Sequence, residues 1–366
     1  MKKIMEVISD SNLGGAGRVL CEYFSSYDKE KYEVSVAIPK GSVLLSVFQD
    51  FDVKIHEIEG MADRSYHKED VKALARLFRE EKPDLIHTHG AFSGRMAGKK
   101  VKIPVVYSRH SVFPVSQKQK LLAPIMGAIN THYADGILAV SPAAADNLVE
   151  TGIPRKKIDI VYNGVRPMEK TSEEKAKALR ESLGLGDLFT FGILARLEYY
   201  KGHRLLLEAC QILKEQGHSF RVLIAGSGTE DIQAEIQGKA LEDKVLFLGF
   251  WKEIPELLSI LDVQLNCSFG TEATSIALLE GMSLGLPSVV SDYGGNPQVI
   301  SHGENGLVFP SENPEKLAQA MAQMITDQSF REKASIRARE IYQEKFTALA
   351  FARETEKFYE KVWNRR

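Results

Sequence analysis

Short apolar runs rich in Val and Ile recur along this chain, each closed by Gly, Pro, Asp or Ser and each followed by an amphipathic stretch. IMEVI (4–8), YEVSVAI (32–38), DLIHTH (84–89), IPVVYS (103–108) and GILAV (136–140) form one series. FTFGILARL (189–197), SFRVLIAG (219–226), KVLFLGF (244–250), DVQLNC (262–267) and LPSVVSD (286–292) form a second. Runs that are apolar rather than alternating belong to strands covered on both faces, hence to parallel sheets with helical crossovers. The intervening segments supply the helices. In DVKALARLFREEKP (70–83), Val71, Leu74, Leu77 and Phe78 share one helical face, and Pro83 stops the run. HRLLLEACQILKEQG (203–217) has the same character.

Two such series in 366 residues predict two doubly wound, Rossmann-like α/β domains with a cleft between them. The turn-like YNGVRPMEKTSEE (162–174) joins them, giving domains over 1–168 and 169–346. Residues 347–366 read as a long amphipathic helix that packs back on the first domain. Cys21, Cys210 and Cys267 have neither metal nor disulfide spacing, which fits a reducing cytoplasm. MKKIMEVISD lacks the apolar core of a signal peptide, and no run reaches the ~18 apolar residues of a spanning helix.

Charge is uneven. Residues 1–170 hold 25 Lys and Arg against 21 acids, whereas residues 171–366 hold 22 against 28. From Leu85 to Ala134 there is no acid, but there are Arg95, Lys99, Lys100, Lys102, Arg109, Lys118 and Lys120. Such a stretch attracts an anionic surface or substrate, unless acids from elsewhere in the fold cover it. Arg95, Lys118 and Lys120, with the apolar LLAPIM (121–126), are the candidate acceptor or membrane patch. No nucleic-acid partner is expected.

Ligands of doubly wound sheets bind beyond the carboxyl ends of the strands. There the first domain offers SNLGGAGR (11–18), where Gly14, Gly15 and Gly17 permit a tight turn and close approach to a ligand. The spacing is not GxGxxG, and no acid closes the second strand, so an NAD site is disfavoured. The second domain offers ARLEYYKGH (195–203), whose Arg196 and Lys201 suit a diphosphate, and the Gly-rich AGSGTE (225–230). In GTEATSIALLEGMSLGLPSVVSD (270–292), Thr274 or Ser275 caps a helix reaching about Leu284 that is apolar nearly all round. Glu280 lies in that helix and Glu272 just before it. A buried carboxylate needs a cation or ligand hydroxyls as partners. Between the two acids, the N–H groups from Thr274 through Ser275 and Ile276 to Ala277 can cradle phosphate oxygens. His87 and His89 face one side of a strand, but no third ligand has zinc spacing, so hydrogen-bonded histidines are expected. Asp50-Phe51-Asp52 reads as a surface turn rather than a metal site.

Glu272, seven residues and Glu280, followed by GMSLGLP, resembles the signature of the retaining glycosyltransferases of family four. The resemblance runs the whole chain: NLGGAGR, DLIHTH, SRHSV, AVSPAAADNL, VYNGV, ARLEYYKG, SDYGGNPQVI and ENGLVF stand in the family's order. It implies the GT-B fold, α/β, with two Rossmann-like domains facing across a cleft. It also implies transfer of a hexosyl-type group from a nucleotide-diphosphate sugar, with retention; a UDP-sugar is favoured on family frequency and a GDP-sugar is the alternative. The acceptor would be a sugar or a lipid-linked sugar, in cell-surface polysaccharide or glycolipid synthesis, at the cytoplasmic face of the membrane.

On this resemblance, Glu280 would take the ribose hydroxyls and Glu272 the transferred sugar. Arg196 and Lys201 would neutralise the departing diphosphate, with no metal or cofactor, and His110 would line the reacting sugar. Gly14 and Gly15 would approach the phosphates or acceptor. The backbone of Gly249, Phe250 and Trp251 would hold the base, beside the Gly226–Gly228 turn. Two departures stand out: Ala273-Thr274-Ser275 follows the first Glu, and Gly17 replaces a frequent acid in the first loop. A nucleotide-sugar epimerase of the same shape and a non-catalytic sugar-nucleotide binder are the alternative readings.

Overall fold

The computed structural model describes residues 1–228 and 231–365. Thr229 and Glu230, which end the AGSGTE turn, and Arg366, at the end of the expected terminal helix, lie outside the described residues. The chain forms two compact units, Met1–Arg166 with Phe346–Arg366, and Pro167–Lys345. The sequence puts the join two residues later, at 168/169.

The first unit is built on seven parallel strands: β1 (Lys2–Ile8), β2 (Tyr32–Pro39), β3 (Lys54–Ile58), β4 (Leu85–His89), β5 (Val105–Arg109), β6 (Gly136–Ala139) and β7 (Ile158–Ile160). Their order is β3-β2-β1-β4-β5-β6-β7. Strand order reverses at β1 and β4, the place where open α/β sheets bind ligands. Register there sets Glu6 opposite His87 and Ile8 opposite His89, while His89 also lies opposite Ser108 of β5. Because side chains alternate with period two, Glu6, His87 and His89 share one face of the sheet.

The helix Ala348–Trp363 belongs to this unit and buries Phe358, Tyr359 and Val362. A Cβ on Gly136 would stand 2.6 Å from Phe358 Cζ, so only glycine lets β6 and this helix close. Burying Phe358 alone contributes about 1.5–3 kcal/mol.

The second unit has six parallel strands: β8 (Phe189–Leu194), β9 (Phe220–Ala225), β10 (Val245–Gly249), β11 (Val263–Asn266), β12 (Ser288–Ser291) and β13 (Gly306–Phe309). Their order is β10-β9-β8-β11-β12-β13, with its reversal at β8 and β11. The apolar run 189–197 leaves the sheet after Leu194. Ala195 N–H donates to Ala225 O (3.1 Å) and Leu197 N–H to Ser227 O (2.9 Å), so its last three residues are drawn onto the loop after β9. Among the described residues, no helix is long and apolar enough to cross a membrane.

Candidate active site

In the second unit, two loops beyond the β8 and β11 ends are joined by an ion pair. Lys201 follows β8 in a short 3-10 turn (Tyr199–Lys201) that ends at Gly202. Gly202 has φ +76°, and a Cβ there would lie 2.2 Å from Cys267 O, so glycine is needed for the loops to meet. Phe269 N–H donates to Tyr200 O at 2.9 Å, and the Tyr199 and Phe269 rings meet edge-on at 5.1 Å. The result is a 2.8 Å contact between Lys201 Nζ and Glu272 Oε2. Ser268 Oγ donates to the same oxygen at 3.1 Å and Asn266 Nδ2 at 3.3 Å.

The buried Glu272 therefore has a cation as its partner, where the sequence reading gave Glu272 to a sugar and Lys201 separately to phosphate. Removing one member of such a pair typically costs 3–5 kcal/mol, because the other charge stays buried. Arg196 is exposed beside the pair, its Nη2 3.4 Å from Tyr200 OH.

Behind Glu272, Ser275 caps the helix Ile276–Ser283 by accepting from Leu278 N–H at 3.4 Å. Thr274 is not the cap; its hydroxyl donates to Ala273 O at 2.8 Å. Glu280 is buried within that helix at 4% exposure, and Ala277 O receives Gln264 Nε2 at 2.8 Å. A Cβ on Gly295 would lie 1.7 Å from Ala273 O, and Gly295 N–H donates to Glu272 O at 3.1 Å. The Gly294-Gly295 turn thus sets the backbone of the Glu272 loop.

Three further turns gather at the β8–β10 ends. Leu197 bridges Gly228, and Gly226 N–H donates to Gly249 O at 2.8 Å. Phe250 is 77% exposed, whereas Trp251 donates its indole N–H to Glu253 O at 3.1 Å and packs on apolar neighbours. Sequence reasoning missed Asn266 and Ser268. Their signal was present, in the form of two polar residues closing the otherwise buried strand of QLNCS.

The first unit gathers a second polar centre. Glu6 Oε2 is 2.7 Å from His89 Nε2, and His89 Nδ1 is 2.7 Å from Nε2 of His110, which follows β5. Tyr359 OH donates to Glu6 Oε1 at 3.0 Å and lies 2.7 Å from His87 Nδ1, while His87 Nε2 lies 2.6 Å from Ser108 Oγ. Burial alone would push the Glu6 carboxyl up, but the His87 and His89 rings outweigh it and hold the acid at about 2. Burial, with His87 adding, lowers His89; burial and the neighbouring histidines hold His110 well below the usual histidine value.

Glu6 is the third ligand-type residue that sequence spacing could not supply, its donor atom within 4.8 Å of those of the two histidines. Every ring nitrogen of His87 and His89 is already engaged by a neighbour. This is a hydrogen-bonded network held by four separate chain segments.

The glycine loop forms a strand-to-helix turn in which none of Gly14, Gly15 and Gly17 has a positive φ. Gly14 precedes the helix Gly15–Ser26, and Gly17 is buried where a Cβ would sit 2.9 Å from Leu44 Cδ2, which explains why a bulkier acid does not stand there. The basic patch needs correction. Arg95 is buried, its guanidinium 4.5 Å from the Phe92 ring and 4.2 Å from the Tyr107 ring, and it donates to Asn130 Oδ1 at 2.8 Å. Lys99 pairs with Asp135 at 2.9 Å and Arg109 donates to Asn147 Oδ1 at 3.0 Å. Lys118 and Lys120 are exposed, on the helix Gln117–His132.

The two parallel-sheet, Rossmann-like α/β units match glycosyltransferase structures of the GT-B architecture. The chain matches the glycosyl transferases group 1 over residues 174–341 and glycosyltransferase family 4 over residues 13–169. It belongs to this family and is a glycosyltransferase. It is 28% identical over 314 residues to an uncharacterised glycosyltransferase of Methanocaldococcus jannaschii, covering 80% of this chain and 78% of that one. It is 29% identical over 261 residues to the amylovoran biosynthesis glycosyltransferase AmsK of Erwinia amylovora, covering 66% and 61%. The fold is shared with Anabaena HepE, solved in complex with UDP-glucose, at a TM-score of 0.85 and 20% identity over the whole of both chains.

Proposed function

We propose that this glycosyltransferase moves a hexosyl group from a UDP-sugar, with retention, to a sugar on a lipid carrier during cell-surface polysaccharide synthesis. The observation that carries the donor reading is the Lys201–Glu272 pair, with Arg196 exposed beside it and a capped helix behind. Lys201 and Arg196 supply the positive charge that a departing diphosphate needs, at fixed positions, which is the main electrostatic task of the step. Glu272 accepts from a sugar hydroxyl through Oε1, and Glu280 takes the ribose. The bond from the anomeric carbon to the phosphate oxygen breaks, and its electron pair leaves with UDP. The acceptor hydroxyl oxygen bonds the same carbon from the same face, and its proton passes to the departing phosphate.

UDP is favoured by the UDP-glucose complex of HepE, and polysaccharide synthesis by the part of the Erwinia relative in amylovoran biosynthesis. The test is turnover with UDP- and GDP-sugars, with and without acceptor and with and without EDTA. Acceptor-dependent release of UDP that EDTA leaves unchanged is expected. Conversion of the donor sugar without acceptor would indicate the epimerase, and loss of turnover in EDTA would mean that the two cations do not suffice.

The acceptor reading rests on an inverted helix. Gln117–His132 turns Ala123 and Gly127 inward, where a Cβ on Gly127 would lie 1.9 Å from Gly152 O. Its large apolar residues Leu121, Leu122, Ile125, Met126 and Ile129 face outward, Leu121 at 81% exposure. Two of them, Leu122 and Met126, line with Tyr107, Phe113 and Ile153 a cavity of about 510 Å³. Lys118 and Lys120 match this face to an anionic bilayer, each worth about 1 kcal/mol there. Sedimentation with anionic but not neutral vesicles, lost in Leu121→Ser/Ile125→Ser and weakened by salt, is the expected result. Equal partitioning into both vesicle types would remove the electrostatic part.

A further inference from the structure

We propose that Glu6 and His89 are positioning residues that lock His110 in one tautomer, so that its Nδ1 lone pair is held ready to accept a hydroxyl of the reacting sugars. The proposal rests on the glycosyl-transfer reading and adds to it a device within the first unit.

The assignment follows from the partners. Glu6 is fully buried, and its carboxylate, held at about 2, can only accept. His89 Nε2 must therefore carry the proton in its 2.7 Å bond to Glu6 Oε2. A neutral His89 then has its lone pair at Nδ1, and His110 Nε2, at 2.7 Å, must donate to it. That leaves the His110 lone pair at Nδ1. Nδ1 of His110 is buried and has no hydrogen-bond partner among the described residues. A buried acceptor without a donor costs free energy. A ligand hydroxyl supplies the missing donor.

Tyr359 and Ser108 complete the frame without entering the chain of three. Tyr359 donates to the second oxygen of Glu6, accepts from His87 Nδ1–H, and leaves His87 Nε2 to accept from Ser108. The Glu6 carboxylate is bonded by both His89 and Tyr359, and the helix Ala348–Trp363 secures the network. A carboxylate that fixes the tautomer of a histidine is catalytically consequential because the amide analogue can donate as well as accept and so permits the wrong tautomer.

The experiment combines ¹⁵N NMR of the histidine rings with steady-state kinetics on the intact protein and on Glu6→Gln, Glu6→Asp and Ser108→Ala. Wild type is expected to show an unprotonated Nδ1 on His110. Glu6→Gln is expected to mix or invert the His110 tautomer and to lower kcat at least tenfold, with KM for the UDP-sugar within about twofold. Glu6→Asp should restore the tautomer in part, and Ser108→Ala, whose hydroxyl bonds His87 rather than Glu6 or His89, should keep the His110 tautomer and lose less kcat than Glu6→Gln. A protonated Nδ1 in wild type, or an unchanged tautomer and kcat in Glu6→Gln, overturns the proposal. So does an equal kcat loss in Ser108→Ala, which would mark the network as scaffold alone. The NMR arm stands without any substrate, so a protein that turned over no nucleotide-sugar would sink the functional reading while the tautomer result still decided this one.

Discussion

The two units share a plan and differ in how they hold charge. Each is a parallel sheet whose polar centre lies where strand order reverses, at β1 and β4 in one and at β8 and β11 in the other. In the first unit the centre is one carboxylate among histidine rings, closed by a helix from the far end of the chain. In the second it is a carboxylate against an ammonium, set on loops with an exposed arginine beside it. A buried hydrogen-bonded network can orient and accept, whereas an ion pair at a loop can exchange its partner for a phosphate or a sugar. On the proposed reading, the difference assigns the leaving diphosphate to the second centre and hydroxyl groups to the first.

The largest expected effect separates charge from packing in the second centre. Lys201→Ala should destabilise the second unit by about 3–5 kcal/mol and abolish measurable turnover, since Glu272 is left buried and unpaired. The double variant Lys201→Met/Glu272→Leu should recover most of that stability and none of the activity, by urea unfolding and turnover side by side. Recovered activity would reduce the pair to a packing element. Next, Gly295→Ala should cost about 1–3 kcal/mol, because its Cβ would enter the space of Ala273 O and shift the Glu272 loop. Stability equal to wild type would show that this loop yields, and that its geometry is not imposed by the glycine turn.

A smaller effect distinguishes the centres by acid. His89 and His110 have folded values lowered by burial, so the unfolded chain binds more protons than the folded one once pH falls below the ordinary histidine value near 6.5. Their contribution is present above that pH and is lost below it. Glu6, held at about 2, adds stability present above about 4.5 that disappears only as pH approaches 2. Melting of the intact chain should therefore fall between pH 7.5 and 5.5, and His110→Asn should flatten the slope. An unchanged slope in that variant would place the titrating groups outside this network.

Much of the second centre could be read from local sequence because it is contiguous. ARLEYYKGH and GTEATSIALLE carry Arg196, Lys201, Glu272 and the Ser275 cap within two short stretches, and strands such as 4–8 and 220–225 announce themselves as apolar runs. The first centre is assembled from residues 6, 87–89, 108–110 and 359, and register rather than spacing brings them together. That is why Glu6, inside the apolar run IMEVI, shows no role in the sequence and the two histidines have no third partner at zinc spacing. Arg95 misled for a related reason. Its charge looks like surface, but two aromatic faces and Asn130 bury it, and those neighbours are distant in sequence. The edge strands β7 and β13 are three and four residues long, too short for a pattern to emerge. The αL residue Thr271, φ +58°, has no sequence signature at all.

The most direct measurement of the central claim is thermal stabilisation of the intact chain by UDP, set beside the same titration of Arg196→Ala and of the Lys201→Met/Glu272→Leu variant. A ligand bound only by the folded chain at 100 times its Kd adds about 2.7 kcal/mol. The account expects a concentration-dependent rise in Tm with UDP for the wild type, a weaker rise for Arg196→Ala and almost none for the double variant. A wild type that no nucleoside diphosphate stabilises, or a double variant stabilised as strongly as the wild type, would contradict it.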